Sequence, residues 1–335
     1  MTASPSVEAF RLINGYQVTQ AIHVAVALGL PDHLKDGPRA SDELAVLAKA
    51  HPGALYRLLR ALAAAGILRE QEGRCFSLTA VGDCLRSDSP TPVGAWAAFV
   101  GRPYIWQAWG HLLHSVQTGE TAFVNLNGKS VWQYRAEHPA ENEIFNQATS
   151  DLSRGAVEAL LKAYDFSKFQ HVVDIGGGQG QTIAGILAAN SAVRGTLFDQ
   201  YHVVGKARSM LERVGLENRC DVVAGNFFES VPAGADAYIL RAILHDWEDE
   251  DAVSILKVCR QALGMQAMLL IIEQIVAPPN EGLAGKFSDL NMLVSPGGRE
   301  RTREEFSDLC DAARFKLLNV IAAGPRLSVV EAKPY

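Results

Sequence analysis

The fold is decided by one stretch of the sequence, His171-Val-Val-Asp-Ile-Gly-Gly-Gly-Gln-Gly180. Its first five residues have the apolar, β-branched character of a short buried strand. A helix with an apolar side formed by Ile183, Ile186 and Leu187 follows the glycines. Glycine lets the backbone turn sharply into such a helix and approach a ligand closely. A strand, a glycine-rich loop and a helix in this order therefore predict a ligand-binding loop.

The residues of this loop discriminate between two classes of cofactor. The dinucleotide motif GxGxxG, started at Gly176, would need glycine at position 181, where the sequence has Gln181. Asp174 would repel a pyrophosphate, whereas S-adenosylmethionine (SAM) has no phosphate and carries two cationic groups. Asp199 closes the next predicted strand, where a carboxylate can accept both hydroxyls of a ribose, although a turn or helix-capping role is the alternative. The loop therefore favours SAM over a nicotinamide cofactor.

Downstream of the loop, short β-rich runs alternate with helical stretches. This alternation predicts an α/β fold with a parallel sheet and helices on both faces. The last two runs flank a turn at Gly324-Pro325 and are close enough for a hairpin, so the final strand should be antiparallel. The predicted strands are 171–175, 195–199, 220–224, 235–240, 268–273, 317–322 and 327–332.

The first part of the sequence is helical in pattern. We predict one helix over 7–28, a second that starts at Ser41, a third over 53–65, and a hairpin of 67–69 with 75–78. Helices followed by a hairpin form a winged-helix arrangement, which can bind DNA or serve only in dimerisation. The formal net charge is −6, and acidic neighbours offset the few arginines near the hairpin. We therefore expect no nucleic-acid partner.

Composition narrows the class of protein further. The chain has 335 residues, of which 48% are hydrophobic and 20% charged, as in ordinary soluble globular proteins. Its five cysteines are widely scattered and include no CxxC pair, so zinc spacing is absent, and their odd number argues against a disulfide framework. We expect no metal. The sequence also lacks a signal peptide at its start and an apolar run of about 18 residues. We expect a cytoplasmic protein without a membrane partner.

Residues 90–165 are again helical in pattern and rich in aromatic side chains. Such a cluster forms a hydrophobic core in most proteins, but it can also form the wall of an apolar ligand pocket. The sequence leaves both interpretations open. The aromatic residues are Trp96, Phe99, Tyr104, Trp106, Trp109, Phe123, Trp132, Tyr134 and Phe145.

Several motifs together resemble the caffeate/hydroxyindole-type small-molecule O-methyltransferases, which use SAM and include bacterial natural-product enzymes. The resemblance extends over nearly the whole chain, and the combination is specific although no single motif is. The matching segments are Asn14-Gly15-Tyr16, Val172–Gly180, Phe198-Asp199, Gly225–Phe228, Arg241–Trp247, Glu273 and Pro296–Thr302.

The resemblance implies a homodimer and three regions. A winged-helix-like dimerisation domain is expected at 1–90, a helical linker and acceptor-pocket region at 91–165, and a Rossmann-like SAM-binding catalytic domain at 166–335. By residue matching, the implied cofactor-binding residues are Asp174, Gly176, Gly178, Asp199, Gln200, Asn226, Phe227 and Arg241. The implied acceptor-pocket residues are Phe145, Thr149, Ala242, Asn291 and Met292.

The resemblance also implies His245 as catalytic base, with Glu273 and Glu300 as the carboxylates that flank and orient it. Methyl transfer aligns an oxygen nucleophile, the methyl carbon and the sulfur, and the neutral thioether product, S-adenosylhomocysteine (SAH), needs no acid. A phenol has a pKa of about 10 and an imidazole one of about 6.5, so a paired carboxylate helps His245 to accept the proton. These residues predict O-methylation of a small aromatic acceptor.

Two positions depart from the family pattern. Asn226 stands where members often have Asp, and its amide can still accept a hydrogen bond from the adenine, so we expect weaker but retained cofactor binding. Ala242 stands where plant members often have a bulky aromatic residue, which argues against a lignin-type substrate.

Three other functions remain as alternatives. The winged helix could belong to a DNA-binding regulator with SAM as its signal. The chain could bind SAM and catalyse a reaction without methyl transfer, or it could be an N-methyltransferase, in which His245 would matter less because an amine needs a base less than a phenol does.

Overall fold

The computed structural model describes residues 4–324 and 326–335, so Pro325 of the predicted final turn lies outside the described residues. The chain forms two compact units. The first comprises Met1–Gln107 and Arg135–Leu152, and the second comprises Ala108–Tyr134 and Ser153–Tyr335. The predicted middle region, 91–165, is therefore divided between the two units.

Helices dominate the first half of the chain, and strands and helices alternate in the second. The helices are α1 (Pro5–Ile13), α2 (Gly15–Ala27), α3 (Leu30–His33), α4 (Ser41–Leu47), α5 (Pro52–Ala64), α6 (Ala80–Asp83), α7 (Gly94–Val100), α8 (Pro103–Gly110), α9 (Leu112–Thr118), α10 (Ala122–Asn127), α11 (Val131–Glu137), α12 (Pro139–Ala163), α13 (Gln181–Ala189), α14 (Tyr201–Arg213), α15 (Asp249–Ala262), α16 (Leu283–Val294) and α17 (Arg303–Ala312). The strands are β1 (Arg39–Ala40), β2 (Leu68–Gln71), β3 (Cys75–Leu78), β4 (His171–Ile175), β5 (Arg194–Asp199), β6 (Cys220–Ala224), β7 (Ala237–Arg241), β8 (Met268–Glu273), β9 (Phe315–Ala322) and β10 (Ser328–Pro334). Within the described part of the chain, no helix is long and apolar enough to cross a membrane.

The first unit contains the predicted winged-helix arrangement. β2 and β3 pair antiparallel, which confirms the predicted hairpin, and the short β1 adds a third strand beside β3 that the sequence did not predict. α4 and α5 lie at the predicted positions to within a residue and pack over this sheet. Their apolar sides supply Leu44, Leu55, Leu59 and Leu62 to a core that also contains Phe76.

The single helix predicted over 7–28 is wrong, because the chain breaks at Asn14 into α1 and α2. The side-chain amide of Asn14 donates to the carbonyl of Phe10 at 3.1 Å, and its backbone leaves helical geometry (φ −86°, ψ 5°). Asn and the following Gly15 are weak helix formers, so the local hydrogen bond prevails over the apolar periodicity. Gly29 ends α2 in a left-handed conformation, as its position predicts.

The second unit contains a seven-stranded sheet in the order β6-β5-β4-β7-β8-β10-β9. The pairs among β6, β5, β4, β7 and β8 are all parallel, whereas β10 is antiparallel to both β8 and β9. These pairings confirm the predicted parallel sheet and the predicted antiparallel last strand. The predicted strand bounds differ from the observed ones by at most two residues.

Helices cover both faces of this sheet. Val173 and Ile175 of β4 point into one core, which includes Leu256 of α15 and Phe306 of α17. Val172, the intervening residue, points into the opposite core together with residues of α13 and α14. Since both faces are buried, the carboxyl ends of the parallel strands are the open edge at which ligands gather in such sheets.

α17 begins immediately after the Pro296–Thr302 motif with a complete capping box. The hydroxyl oxygen of Thr302 accepts from the backbone N–H of Glu305 at 3.2 Å, and the carboxylate of Glu305 accepts from the backbone N–H of Thr302 at 2.8 Å. Two N–H groups that the helix leaves unpaired are thereby satisfied. The cap therefore fixes the start of α17 directly after the motif Pro296–Thr302.

Thr302→Ala is expected to lower the free energy of unfolding by about 1 kcal/mol, because it removes the side-chain acceptor at the start of α17. Chemical denaturation measures the change. Thr302→Ser keeps the hydroxyl and should retain most of the stability. An equal loss in both variants would contradict a capping role for this side chain.

Candidate active site

The glycine loop connects β4 to α13 and is hydrogen-bonded to the end of the neighbouring strand β5. Gly176 and Gly178 have φ of 67° and 59°, a region that favours glycine. The backbone N–H of Gly176 donates to the carbonyl of Phe198 at 2.7 Å, and that of Gly178 donates to Oδ2 of Asp199 at 2.8 Å. A Cβ on Gly176 would lie 2.4 Å from Cδ1 of Ile243, so a side chain at this position would require Ile243 to move. The loop leaves its backbone accessible, as close approach to a ligand requires.

Two groups of opposite charge, the buried Asp174 and the partly buried Arg241, lie beside this loop. Burial raises the pKa of Asp174 to about 7, although the neighbouring guanidinium of Arg241 opposes the shift. Nη1 of Arg241 donates to the hydroxyls of Ser153 and Thr182, at 3.2 and 3.3 Å. Within the described residues, Oδ2 of Asp174 and Nε of Arg241 are buried without a hydrogen-bond partner. Unsatisfied polar atoms of this kind are rare in folded proteins and fit a ligand with both an ammonium and a carboxylate group, as SAM has.

Asp199 and Gln200 lie where β5 passes into α14. Besides the bond from Gly178, Asp199 accepts from the backbone N–H of Gln200 at 2.6 Å. Its carboxylate therefore organises both the loop and the start of α14, and each oxygen keeps a lone pair for a further donor.

Asn226 and Phe227 form the turn after β6. The side-chain oxygen Oδ1 of Asn226 accepts from the backbone N–H of Phe228 at 3.1 Å, and its Nδ2 donates to Oε1 of Glu229 at 3.0 Å. Phe227 packs edge-on against Trp247, with ring centroids 6.2 Å apart. Asn226 is thus a turn-forming residue in this structure, and its side chain has one acceptor position left for a ligand.

The turn Ile243–Trp247, called the histidine turn below, is bound by a buried carboxylate. Glu273, the last residue of β8, is 1% exposed. Its Oε1 accepts from the backbone N–H groups of Ile243, Leu244 and His245, at 3.0, 2.6 and 3.3 Å. Glu273 was predicted to flank the imidazole, but its hydrogen bonds go to the backbone of the turn.

Glu300 is the carboxylate that reaches the imidazole. Its Oε1 lies 3.2 Å from Nδ1 of His245 and also accepts from the hydroxyl of Ser288 at 2.7 Å. Because a carboxylate only accepts, Nδ1 carries the proton and Nε2 is the basic atom of the neutral ring. The side chain of His245 remains 21% exposed, whereas that of Glu300 is 2% exposed. This pair has the arrangement of a general base oriented by a buried carboxylate.

Three carboxylates determine the proton affinity of His245. Burial of the ring disfavours the imidazolium, but Asp246, Glu300 and Glu273 together outweigh burial and raise the pKa of His245 to about 10. Asp246 lies nearest to the other nitrogen, with Oδ1 3.7 Å from Nε2. His245 is therefore a much stronger base than a free imidazole.

The segment after α16 brings Glu300 to the ring because Gly298 has no side chain. A Cβ on Gly298 would lie 2.1 Å from the carbonyl oxygen of His245 and 2.5 Å from the backbone nitrogen of Trp247. Gly298 and the buried Arg301 were not predicted as site residues, although both lie in the motif Pro296–Thr302. Ser288 was also missed, and its position on α16 carries no sequence signal.

The predicted acceptor residues lie in both units. In the second unit, Ala242 is exposed with a strained φ of 53°, Asn291 accepts from the indole N–H of Trp109 at 3.2 Å, and Met292 is buried. In the first unit, Phe145 packs edge-on against Phe99, and the hydroxyl of Thr149 donates to the carbonyl of Phe145 at 3.0 Å.

Two family models match the chain. The O-methyltransferase dimerisation domain matches residues 10–88, and the O-methyltransferase domain matches residues 109–316. The second match alone includes the glycine loop, Asp199, the histidine turn, Glu273 and Glu300. The chain therefore belongs to the SAM-dependent small-molecule O-methyltransferases.

Curated relatives catalyse several reactions on this scaffold. A phenazine O-methyltransferase, PhzM, of Lysobacter antibioticus is 41% identical over 97% of this chain and 95% of its own length. An 8-amino-8-demethylriboflavin N,N-dimethyltransferase of Streptomyces davaonensis is 36% identical over 95% of this chain and 92% of its length. An aclacinomycin 10-hydroxylase, RdmB, of Streptomyces purpurascens is 35% identical over 91% of this chain and 83% of its length.

Among solved structures, CalO1, a methyltransferase of calicheamicin biosynthesis, superimposes with a TM-score of 0.88 at 32% identity. The match extends over 100% of both chains, and CalO1 is in its SAH-bound form. The whole architecture described above is therefore that of SAM methyltransferases from natural-product biosynthesis.

Gly298→Ala is expected to displace the histidine turn, because the new methyl group cannot fit against the carbonyl of His245. Overpacking of this kind costs about 1–3 kcal/mol of stability, and the product formation rate should fall further than folding accounts for. Gly205→Ala is the control, since a Cβ there meets no atom within 4 Å in helix α14. Wild-type activity in Gly298→Ala would contradict the tight packing.

Proposed function

We propose that this enzyme methylates a phenolic hydroxyl of a small aromatic natural product, with His245 as general base. The observation that carries the proposal is the bond from Nδ1 of His245 to the buried Glu300, which leaves Nε2 as a basic atom at the edge of the sheet. This edge also holds the glycine loop and Asp199. Family membership supplies the reaction class, and the site chemistry supports a hydroxyl acceptor that needs a base.

The residues around the loop would hold SAM, which supplies a methyl group on a cationic sulfur when bound. Asp174 would accept from the ammonium of its methionine part, and Arg241 would donate to its carboxylate. The backbone at Gly176 and Gly178 would lie against the methionine part, and Asp199 would accept from the ribose hydroxyls. Gln200, Asn226 and Phe227 would line the adenosine part. That the reaction needs no metal remains a prediction.

The raised proton affinity of His245 matches the task that we assign to it. Proton transfer from a phenol with a pKa of about 10 to an ordinary imidazole is unfavourable, because the two pKa values differ by about 3.5 units. His245, with its pKa of about 10, removes most of that difference. The cost of this arrangement is that the free base is scarce at neutral pH.

The residues that we assign to contact with the acceptor are Ala242, Asn291, Met292, Phe145 and Thr149. The acceptors named for the relatives are aromatic or polycyclic, which supports an aromatic acceptor here. An aryl amine is the second candidate, because one relative is an N,N-dimethyltransferase.

We further propose that the enzyme is a homodimer formed through its N-terminal helices. The dimerisation-domain match over 10–88 supports this assembly. α1 has no buried residue in the isolated chain, and Phe10 and Ile13 are each 70% exposed. Large apolar side chains exposed side by side on one helix are typical of an interaction surface.

The test of the proposed function is methyl transfer from isotopically labelled SAM to a panel of phenols and matched anilines, followed by mass spectrometry. His245→Ala is expected to lower the rate of product formation by about 10²- to 10⁴-fold with a phenol, because the proton acceptor is lost. Binding of SAM should be unchanged, since no cofactor-binding residue is altered.

The matched aniline identifies the kind of acceptor. Equal product formation by wild type and His245→Ala would show that His245 is not the base. Faster methylation of anilines than of phenols would favour the amine acceptor. Conversion of the acceptor by wild type without SAH would indicate chemistry like that of the hydroxylase relative.

The pH dependence of kcat/KM tests the electrostatics of the base. The rate should rise with pH as His245 loses its proton. Glu300→Gln removes one negative charge and the charged acceptor at Nδ1, so the pKa of His245 should fall and the midpoint should move to lower pH. Wild type and Glu300→Gln are assayed with the same acceptor, so ionisation of the acceptor affects both pH profiles equally. A midpoint that stays in place or rises would contradict the role of Glu300.

A further inference from the structure

A fully buried arginine lies behind the histidine turn and has no part in the mechanism above. Arg301 is 0% exposed, although it carries a permanent charge. Nη1 donates to the carbonyl oxygens of Leu244 (2.9 Å) and Arg299 (3.4 Å), and Nη2 donates to that of Trp247 (2.8 Å). Nε and Nη2 also donate to Oδ1 of Asp249, at 2.9 and 2.8 Å. These five bonds match the five N–H groups of a guanidinium.

Arg301 and Glu273 hold the histidine turn through backbone groups of opposite polarity. Glu273 accepts from three consecutive N–H groups, which end at His245. Arg301 donates to the carbonyl oxygens of Leu244 and Trp247, which lie on either side of His245 in the sequence. The position of the imidazole is therefore fixed by two charges that do not touch it.

Arg301 also connects the two partners of the catalytic hydrogen bond. Glu300, which accepts from Nδ1 of His245, is the residue immediately before Arg301. The carbonyl of Arg301 accepts from the backbone N–H of Val276 at 2.9 Å, so this backbone is tied to the segment after β8. The side chain of Arg301 then ties the histidine turn to the same point. A change in its length or donor geometry must alter how closely Glu300 approaches the ring.

We propose that Arg301 is a positioning residue that fixes the His245–Glu300 hydrogen bond and thereby the proton affinity of the base. Its kinetic consequence rests on the proposed function, whereas its effect on the titration of His245 does not. The charged groups that face the ring are Asp246 in the turn itself, Glu273 at the end of β8 and Glu300 after α16. Of these, Glu300 is the one bonded to Nδ1, so its displacement destabilises the imidazolium.

The experiment compares wild type with Arg301→Lys, which keeps the charge but has three donors on a flexible stem instead of five in a fixed fork. NMR follows the titration of the His245 ring, whose resonances are identified by their absence in His245→Ala. The midpoint is expected to move to lower pH by about one unit or more. The kcat, expressed per SAM-binding site, should fall by about tenfold or more, with the KM for SAM unchanged.

Arg219→Lys is a matched control for structural damage. Arg219 belongs to the same unit and donates to the carbonyl oxygens of Leu187, Asn190, Ser191 and Val193, at 2.8–3.2 Å. The Arg219→Lys variant therefore loses a comparable set of guanidinium–carbonyl bonds, but none that involves the histidine turn. The unfolding temperature of this variant should fall, and the midpoint of the His245 titration should stay unchanged.

An unchanged midpoint in folded Arg301→Lys would overturn the proposal, as would an equal shift in Arg219→Lys. If Arg301→Lys fails to fold, Asp249→Asn is judged by the same criterion, with the same direction of shift expected. Asp249 has a side chain that is 53% exposed, so this variant weakens the anchor of the guanidinium at the surface. A shift in an enzyme that methylates no panel member would contradict the proposed function and support the positioning role.

Discussion

The histidine turn depends on one buried carboxylate at the end of a central strand. Glu273 is 1% exposed, and three backbone N–H groups of the turn converge on one of its oxygens. Burial raises the pKa of Glu273, and the charges of His245 and Arg301 oppose that shift. A buried carboxylate without such partners would be too costly to retain. Because β8 is paired with β7 on one side and with β10 on the other, the turn is anchored to the interior of the sheet.

The tautomer and proton affinity of His245 depend on how closely charged groups pack around its imidazole. Gly298 lets a second segment touch the backbone of the turn, Arg301 binds its carbonyl groups, and Glu300 then reaches Nδ1 of His245. The result is a ring with a fixed tautomer and a proton affinity close to that of a phenol. These properties suit the proposed role of His245 as the base for an acceptor that loses its proton as the new bond forms.

The parallel sheet was predictable because each strand is a short apolar run between turn residues. Asp199, His245, Glu273 and Glu300 could be predicted as site residues because their motifs occur together, and their roles remain predictions. The break at Asn14 was not predictable, since a local side-chain bond prevailed over a continuous apolar pattern. The hydrogen bonds of Glu273 were also not predictable, because a sequence does not reveal whether a carboxylate binds a ring or three backbone N–H groups. The same holds for Arg301, whose charge suggests exposure, and for Ser288, which nothing in its neighbourhood distinguishes.

The proposed function requires Nε2 of His245 to receive the proton of the acceptor hydroxyl. A crystal structure with SAH and a methylatable phenol bound would give the distance from the phenol oxygen to Nε2. A hydrogen bond of about 2.6–3.2 Å is expected, with Nδ1 still bonded to Glu300. A phenol oxygen beyond hydrogen-bonding reach of Nε2, or bonded instead to another basic group, would contradict this role of His245.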